Sequence, residues 1–294
     1  MSERSGRLFD RYVVVDWSAN SKPKSGVDSI WVGSASRDGI RAWDTENPPT
    51  RIDAQVGLRD RLSADIILGR RVLVGFDFPL GYPFGFAKAI CPGWREAWLG
   101  VWKSLQRTIG DTNRNENNRF EVANEINRML ENKCGPFWGH PNGAALSNLS
   151  WDAGDRKSGL KQYRHTETRV SGVQEVWKLY GQGSVGSQAL LGIPVVARLW
   201  NHLGPDAEVW PFERGFAIRP VGPTIVLVEI WPGVIPVEVP KDKVKDQVQV
   251  EMLAAHFKRL DEQGELAALF GRPDRLSDRE LDECVSAEGW ILGT

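Results

Sequence analysis

Cysteine is scarce in this chain. Cys91, Cys134 and Cys284 are the only three in 294 residues, odd in number and widely scattered. That argues against a disulfide framework and suits a reducing compartment, so the expected location is the cytoplasm. Net charge is nearly absent too. Lys+Arg at 37 against Asp+Glu at 38 leave a formal charge of -1, so no global field draws the molecule onto a polyanion or a lipid surface. No apolar run approaches the roughly 20 residues of a membrane-spanning helix, and Met1 to Arg11 lacks the stretch of a signal peptide. The expectation is a protein without membrane association; its oligomeric state stays open. His140, His165, His202 and His256 form no H-x-x-x-H pair and stand near no paired cysteines, which argues against zinc. Ser184 and Ser187 sit in no G-x-S-x-G elbow, and no Gly-Lys-Ser run exists, so serine hydrolases and P-loop kinases fall away. Cys134 follows Lys133, but one cation does not make a nucleophile.

What is present suffices for a large core. With 41% apolar and 26% charged residues, the simplest organisation is one domain over 1–294 that carries insertions. Thirteen tryptophans run from Trp17 to Trp290 without a fixed period; they argue against a repeat and hint at aromatic surface near a cleft, although core packing is the commoner fate.

Tyr12-Val13-Val14-Val15 reads as a central strand ending at Asp16. Ser29 to Gly33 and Gly39 to Trp43, joined at Arg37-Asp38-Gly39, extend it into an antiparallel three-stranded meander. A helix over Ile52 to Leu68 returns the chain for a strand, Arg71 to Phe76, that ends at Asp77. From about 84 to 170 the chain turns rich in Trp, Asn and Gly, with helices at Trp94 to Thr108 and Arg119 to Glu131, and reads as an insertion covering the sheet edge. A short strand at Val176 to Tyr180 precedes a helix from Ser184 to Leu203 that Pro194 interrupts; strands at Glu208 to Trp210 and Thr224 to Glu229 follow. Val244, Val248, Met252 and Phe257 mark a helical face, and Ser277 caps a last helix through Leu281 and Val285.

Three of these strands end in a carboxylate: Asp16, Asp77 and Glu229. Ligands of open α/β sheets collect beyond strand ends. Three converging anions need a divalent ion or a proton between them, and two-metal phosphoryl transfer on Mg²⁺ or Mn²⁺ is the chemistry such a group serves. The plainer account, an acid opening a turn, holds for any one alone; the three together favour a site.

The ordered set Asp16-Trp17-Ser18, Gly75 to Gly81, Lys178 to Gln188, Gly192-Ile193-Pro194, Trp210-Pro211-Phe212-Glu213 and Glu229-Ile230-Trp231-Pro232 resembles a family of uncharacterised proteins with a ribonuclease H-like fold, described as a domain of unknown function and as predicted nucleases. The resemblance implies an α/β fold with a mixed five-stranded sheet, its first three strands antiparallel, flanked by helices. It implies that Asp16, Asp77 and Glu229 hold the metal, with a fourth acid on the last helix: Asp282, or alternatively Asp278. Some members of that family carry a name linked to molybdopterin guanine dinucleotide synthesis.

Gly181-Gln182-Gly183-Ser184-Val185-Gly186 fits G-x-G-x-x-G and opens a helix, so its amides are candidates for a phosphate cradle, against the alternative that the glycines only permit a turn. Arg119 and Arg169 are candidate phosphate clamps with Asn124 orienting; Lys178 and Gln188 flank the loop, and ordinary salt bridges are the plainer reading of each cation. The expected function is a metal-dependent phosphodiester hydrolase acting on nucleic acid or a small nucleotide. The other class is a non-catalytic nucleotide-binding accessory protein in cofactor biosynthesis.

Overall fold

The structure is a computed structural model describing all residues except 1–5, 131–134, 142–145, 155–158 and 219–224. Cys134, the predicted helix end at Glu131 and the predicted strand start at Thr224 lie outside the described residues.

The β-branched runs form the strands, as their stiff side chains favour. β1 (Arg11–Asp16), β2 (Trp31–Ser36), β3 (Val72–Phe76), β4 (Ala207–Val209) and β5 (Ile225–Glu229) build one sheet in the order β2-β1-β3-β5-β4. β1 pairs β2 antiparallel, and every other pairing is parallel. The architecture is therefore α/β on a mixed five-stranded sheet.

The third strand of the expected meander does not form. Its turn is present, with Ile40 N–H donating to Arg37 C=O. Beyond it, Trp43 exchanges its backbone bonds with the Ser34 hydroxyl instead of a strand backbone, and only Glu46 bridges Val32. The Trp43 ring lies under the Arg11 and Arg61 guanidiniums, 4.9 and 5.2 Å away, which fixes the segment by its side chain. The short strand expected at Val176 to Tyr180 is likewise reduced to one bridge between Lys178 and Trp138.

Helices cover both faces. α1 (Arg51–Ile67), capped by Thr50, packs with α5 (Val185–Leu203) over one face, whose core includes Val13, Val15, Val74, Phe76 and Leu227. α5 runs on through Pro194; the missing N–H costs stability, offset by burial of nearly every apolar residue along the helix. The segment between β3 and α5 carries α2 (Phe86–Ile90), α3 (Ala97–Thr108) and α4 (Arg119–Met129). It packs α3 against α5 and adds Trp98, Trp102, Phe137 and Trp177 to that same core. α6 (Lys245–Gln263) crosses β1 and β2 on the opposite face, over Tyr12, Val14, Leu73 and Val228. α7 (Leu266–Leu269) follows, and α8 (Asp278–Glu283) opens on a Ser277–Glu280 capping box. Among the described residues no helix is long and apolar enough to cross a membrane.

A candidate metal and phosphate site

The parallel register places Val15 beside Phe76, so Asp16 and Asp77, each one residue further on, leave neighbouring strands together. Asp77 accepts a hydrogen bond from Trp17 N–H at 2.8 Å, and the Asp16 and Asp77 carboxyls stand within hydrogen-bonding reach of each other. Burial, then the negative charges of Asp77 and Asp246, hold the Asp16 carboxyl well above the ordinary range. Burial pushes Asp77 up to about 7, against the lowering effect of the Trp17 amide and of Asp16. Two carboxyls out of water this close cannot both ionise without a cation.

The same register sets Glu229 level with Phe76, not with Asp77. Side chains alternate along a strand, so Glu229 belongs to the face of Phe76 and Asp16 to the opposite one. There Arg164 grips both Glu229 carboxylate oxygens, at 2.7 and 2.6 Å, while Leu80 N–H donates to one of them. Arg164 also bonds Glu167 at 2.8 Å and the Glu288 carbonyl at 2.8 Å. Burial opposes the Arg164 charge, and the two carboxylates outweigh it, raising its pKa further. The expected trio of strand-end acids is thus divided: Glu229 is neutralised inside the protein and does not face Asp16 and Asp77.

The fourth acid is also elsewhere. Asp282 is exposed on α8 and Asp278 pairs with Arg272 at 2.8 Å; neither lines the cleft that holds Asp16. The acid that a C-terminal helix does bring there is Asp246, in the first turn of α6, whose Oδ2 accepts Asp28 N–H at 2.9 Å. Its charge acts on both Asp16 and Asp77. Nothing local in the sequence marks Asp246 out, since an acid in a first turn ordinarily complements the helix dipole; only the docking of α6 on β1 and β2 delivers it.

The cleft has a volume of about 570 Å³ and is walled by Asp16, Asp28 and Asp246 on one side and by Arg119, Gly181 to Ser184, Ser187 and Gln188 on the other. Arg119 is 8% exposed. It donates to Ser187 Oγ, Ser21 Oγ and Asn117 Oδ1 at 2.9, 3.1 and 2.7 Å, all neutral acceptors, and no carboxylate pairs with it among the described residues. Burial, then the nearby Arg51, lowers its pKa to about 10. Gln188 donates to Trp17 C=O at 2.6 Å, fixing the backbone that Asp77 holds from the other side. Arg51 secures the facing wall through Ser18 C=O and Asn20 C=O while paired with Asp111.

The glycine-rich loop does not present an open helix end. Val185, Gly186 and Ser187 amides bond to Gly183, Lys178 and Ser184 carbonyls. Gly181 and Gly183 have φ of 90° and 71°, and a Cβ on Gly186 would stand 2.3 Å from Val176 C=O, so all three glycines answer backbone needs. The loop still lines the cleft, braced by Lys178 Nζ on Gln182 C=O at 2.7 Å. Asn124 and Arg169 are not brought in. Asn124 accepts Asn148 N–H, and Arg169 bonds Asp274 C=O beside the Trp290 ring.

His165, Glu283 and Glu288 form another cluster whose ligand atoms lie within 4.8 Å of one another. Its acceptors are engaged: Glu288 takes the Phe84 and His165 amides, and Glu283 takes His165, Lys161 and Arg279. Among comparisons with known proteins, no family model, no curated protein and no solved structure matches this chain.

Proposed function

We propose that the chain is a metal-dependent phosphodiester hydrolase with a ribonuclease H-like core, whose ion sits on Asp16, Asp77 and Asp246 and whose substrate phosphate sits against Arg119. The observation that carries this is one cleft with two charged halves: on one side Asp16, backed by the buried Asp77 and joined by Asp246, with no cation paired to them among the described residues, and on the other the buried Arg119, which bonds no carboxylate among the described residues. Support for the core comes from the antiparallel β1–β2 pair, the parallel β1, β3 and β5, and the helical crossovers between them.

The donor set suits the ion. Carboxylate oxygens are the hard ligands that Mg²⁺ and Mn²⁺ prefer, and both aspartates are raised by burial first and by neighbouring negative charge after it, a cost of the charged form that a bound cation would relieve. When bound, such an ion supplies charge stabilisation at a phosphoryl oxygen and activation of water. With a cation there, the Asp16 carboxyl would be held in its charged form. Asp77 and Gln188 keep the Trp17 backbone in place, so the Asp16 carboxyl stays aimed at the cleft. Arg119 holds the phosphate through a guanidinium already fixed by three neutral acceptors.

The test is turnover of a panel of nucleotides, single strands and duplexes with Mn²⁺, in wild type and in Asp16→Asn. Wild type should release products, and the variant should lose at least about a hundredfold of the rate while unfolding as cooperatively. Full activity in the variant rejects the site. Saturable nucleotide binding by wild type without products favours the accessory role instead.

A further inference from the structure

Two large aromatic side chains at the rim of this cleft stand in water. Tyr180, which lines it, is 43% exposed and Trp151 is 53% exposed. Their ring centroids are 5.9 Å apart at 54°. Phe120 lies 6.5 Å from Tyr180, and the Arg119 guanidinium lies 4.3 Å from the Phe120 ring. A chain of edge-on and tilted ring contacts therefore leads from the buried cation to the outer surface. Single exposed aromatics are ordinary on a protein; a contiguous set rimming a polar cleft marks a binding surface.

The platform is anchored from behind. Trp138 bridges both Ser150 and Lys178, Gly139 N–H donates to Ser150 C=O and Leu179 N–H to Trp138 C=O. Trp151 and Tyr180 thus follow two backbone segments tied to one hub, and Gly181 turns the chain away directly after Tyr180 with φ of 90°.

Resting on the phosphate reading above, we propose that Tyr180 and Trp151 stack an unpaired nucleobase whose sugar joins it to the phosphate held by Arg119. Three points select this occupant. A planar π ligand matches exposed rings. The neighbouring cation hydrogen-bonds to no carboxylate among the described residues. A base inside a duplex offers no free face to a ring, whereas single strands are held by combined aromatic platforms and cations. The overall charge of -1 fits a short contact and not a long phosphate track.

Calorimetric titration with Ca²⁺ present tests this on wild type, Tyr180→Leu, Trp151→Leu and Arg119→Gln. The probes are thymidine 5′-monophosphate, ribose 5-phosphate, a single-stranded thymidine tetranucleotide and a duplex. Wild type should bind the nucleotide about tenfold tighter than the sugar phosphate. Each aromatic variant, melting like wild type, should erase that difference and leave ribose 5-phosphate affinity unchanged, while Tyr180→Phe keeps it. Arg119→Gln should weaken both small probes alike. Equal affinity for the two small probes in wild type, an undiminished preference in Tyr180→Leu, or duplex binding as tight as the single strand overturns the platform and leaves the phosphate site standing. Binding of neither small probe removes the phosphate reading itself, and the platform with it. A tetranucleotide that outbinds the monophosphate identifies a strand as the source of the base; equal affinity identifies the free nucleotide.

Discussion

Two groups of carboxylates stand at the same end of the sheet, and they differ in who supplies the positive charge. Under β5, Glu229 and Glu167 close on Arg164, a guanidinium with no exposed surface. Beyond β1, Asp16, Asp77 and Asp246 pair with no cation among the described residues, and among these Arg119, across the cleft, bonds only neutral groups. Buried charge has to be balanced. The first group is balanced internally and is a piece of architecture. The second is left open, and an open balance in a cleft is what a ligand can close.

The two buried arginines break or uphold that contrast most directly. Arg164→Met strands two carboxylates in the core and should cost about 3–5 kcal/mol, a large fraction of the stability of an ordinary domain. Arg119→Met leaves no buried anion behind and should change stability far less. Urea denaturation of both decides the matter; equal losses would show that the two arginines do the same job. Within the open group, Asp246→Asn should raise the Mn²⁺ concentration at half-maximal rate by roughly 10–100-fold while the fold persists. An unchanged metal titration would confine the ion to Asp16 and Asp77.

The legible part of this arrangement was the part written in local pattern. Val13-Val14-Val15 and Val72 to Phe76 announce buried strands, and the acids after them stand where such strands stop. The sequence could not say that Glu229 falls level with Phe76, because a shift of one residue changes the face of every side chain and register is set by the whole sheet. Gly39 to Trp43 carries a strand-like alternation, yet its backbone bonds went to the Ser34 hydroxyl and its aromatic ring to two arginines. The G-x-G-x-x-G spacing was real, and each glycine is used, but for positive φ and close packing. Arg119 is a candidate from the sequence as a cation set near the amide of Asn124, whereas Asp246 acquires meaning only from the packing of α6.

A subtler difference is in the response to pH when metal is chelated. Asp16 and Asp77 bind protons more tightly folded than unfolded, where an aspartate titrates near ~3.9. The unfolded chain therefore sheds these protons first, so stability should fall as pH rises from about 4 towards the raised Asp77 value of about 7. The negative charge of Asp246 on both groups, and of Asp28 on Asp16, deepens the fall. Thermal melts in chelator should show a Tm dropping across that window, a flatter profile in Asp77→Asn, and recovery with Mn²⁺ that grows with pH. A profile that climbs through the same window would mean that the pair is already balanced.

The smallest effect belongs to the acid that sequence reasoning preferred. Asp282 is exposed on α8, its carbonyl accepts the Ser286 hydroxyl, and it does not line the cleft. Surface substitutions of this kind stay within about 0.5 kcal/mol, so Asp282→Asn should leave both melting and Mn²⁺-dependent turnover at wild-type values. Paired with Asp246→Asn in one metal titration, it asks which C-terminal helix serves the site. If Asp282→Asn were the variant that lost metal dependence, α8 would have to swing onto the cleft during turnover, and the division between a closed and an open carboxylate group would no longer describe the working protein.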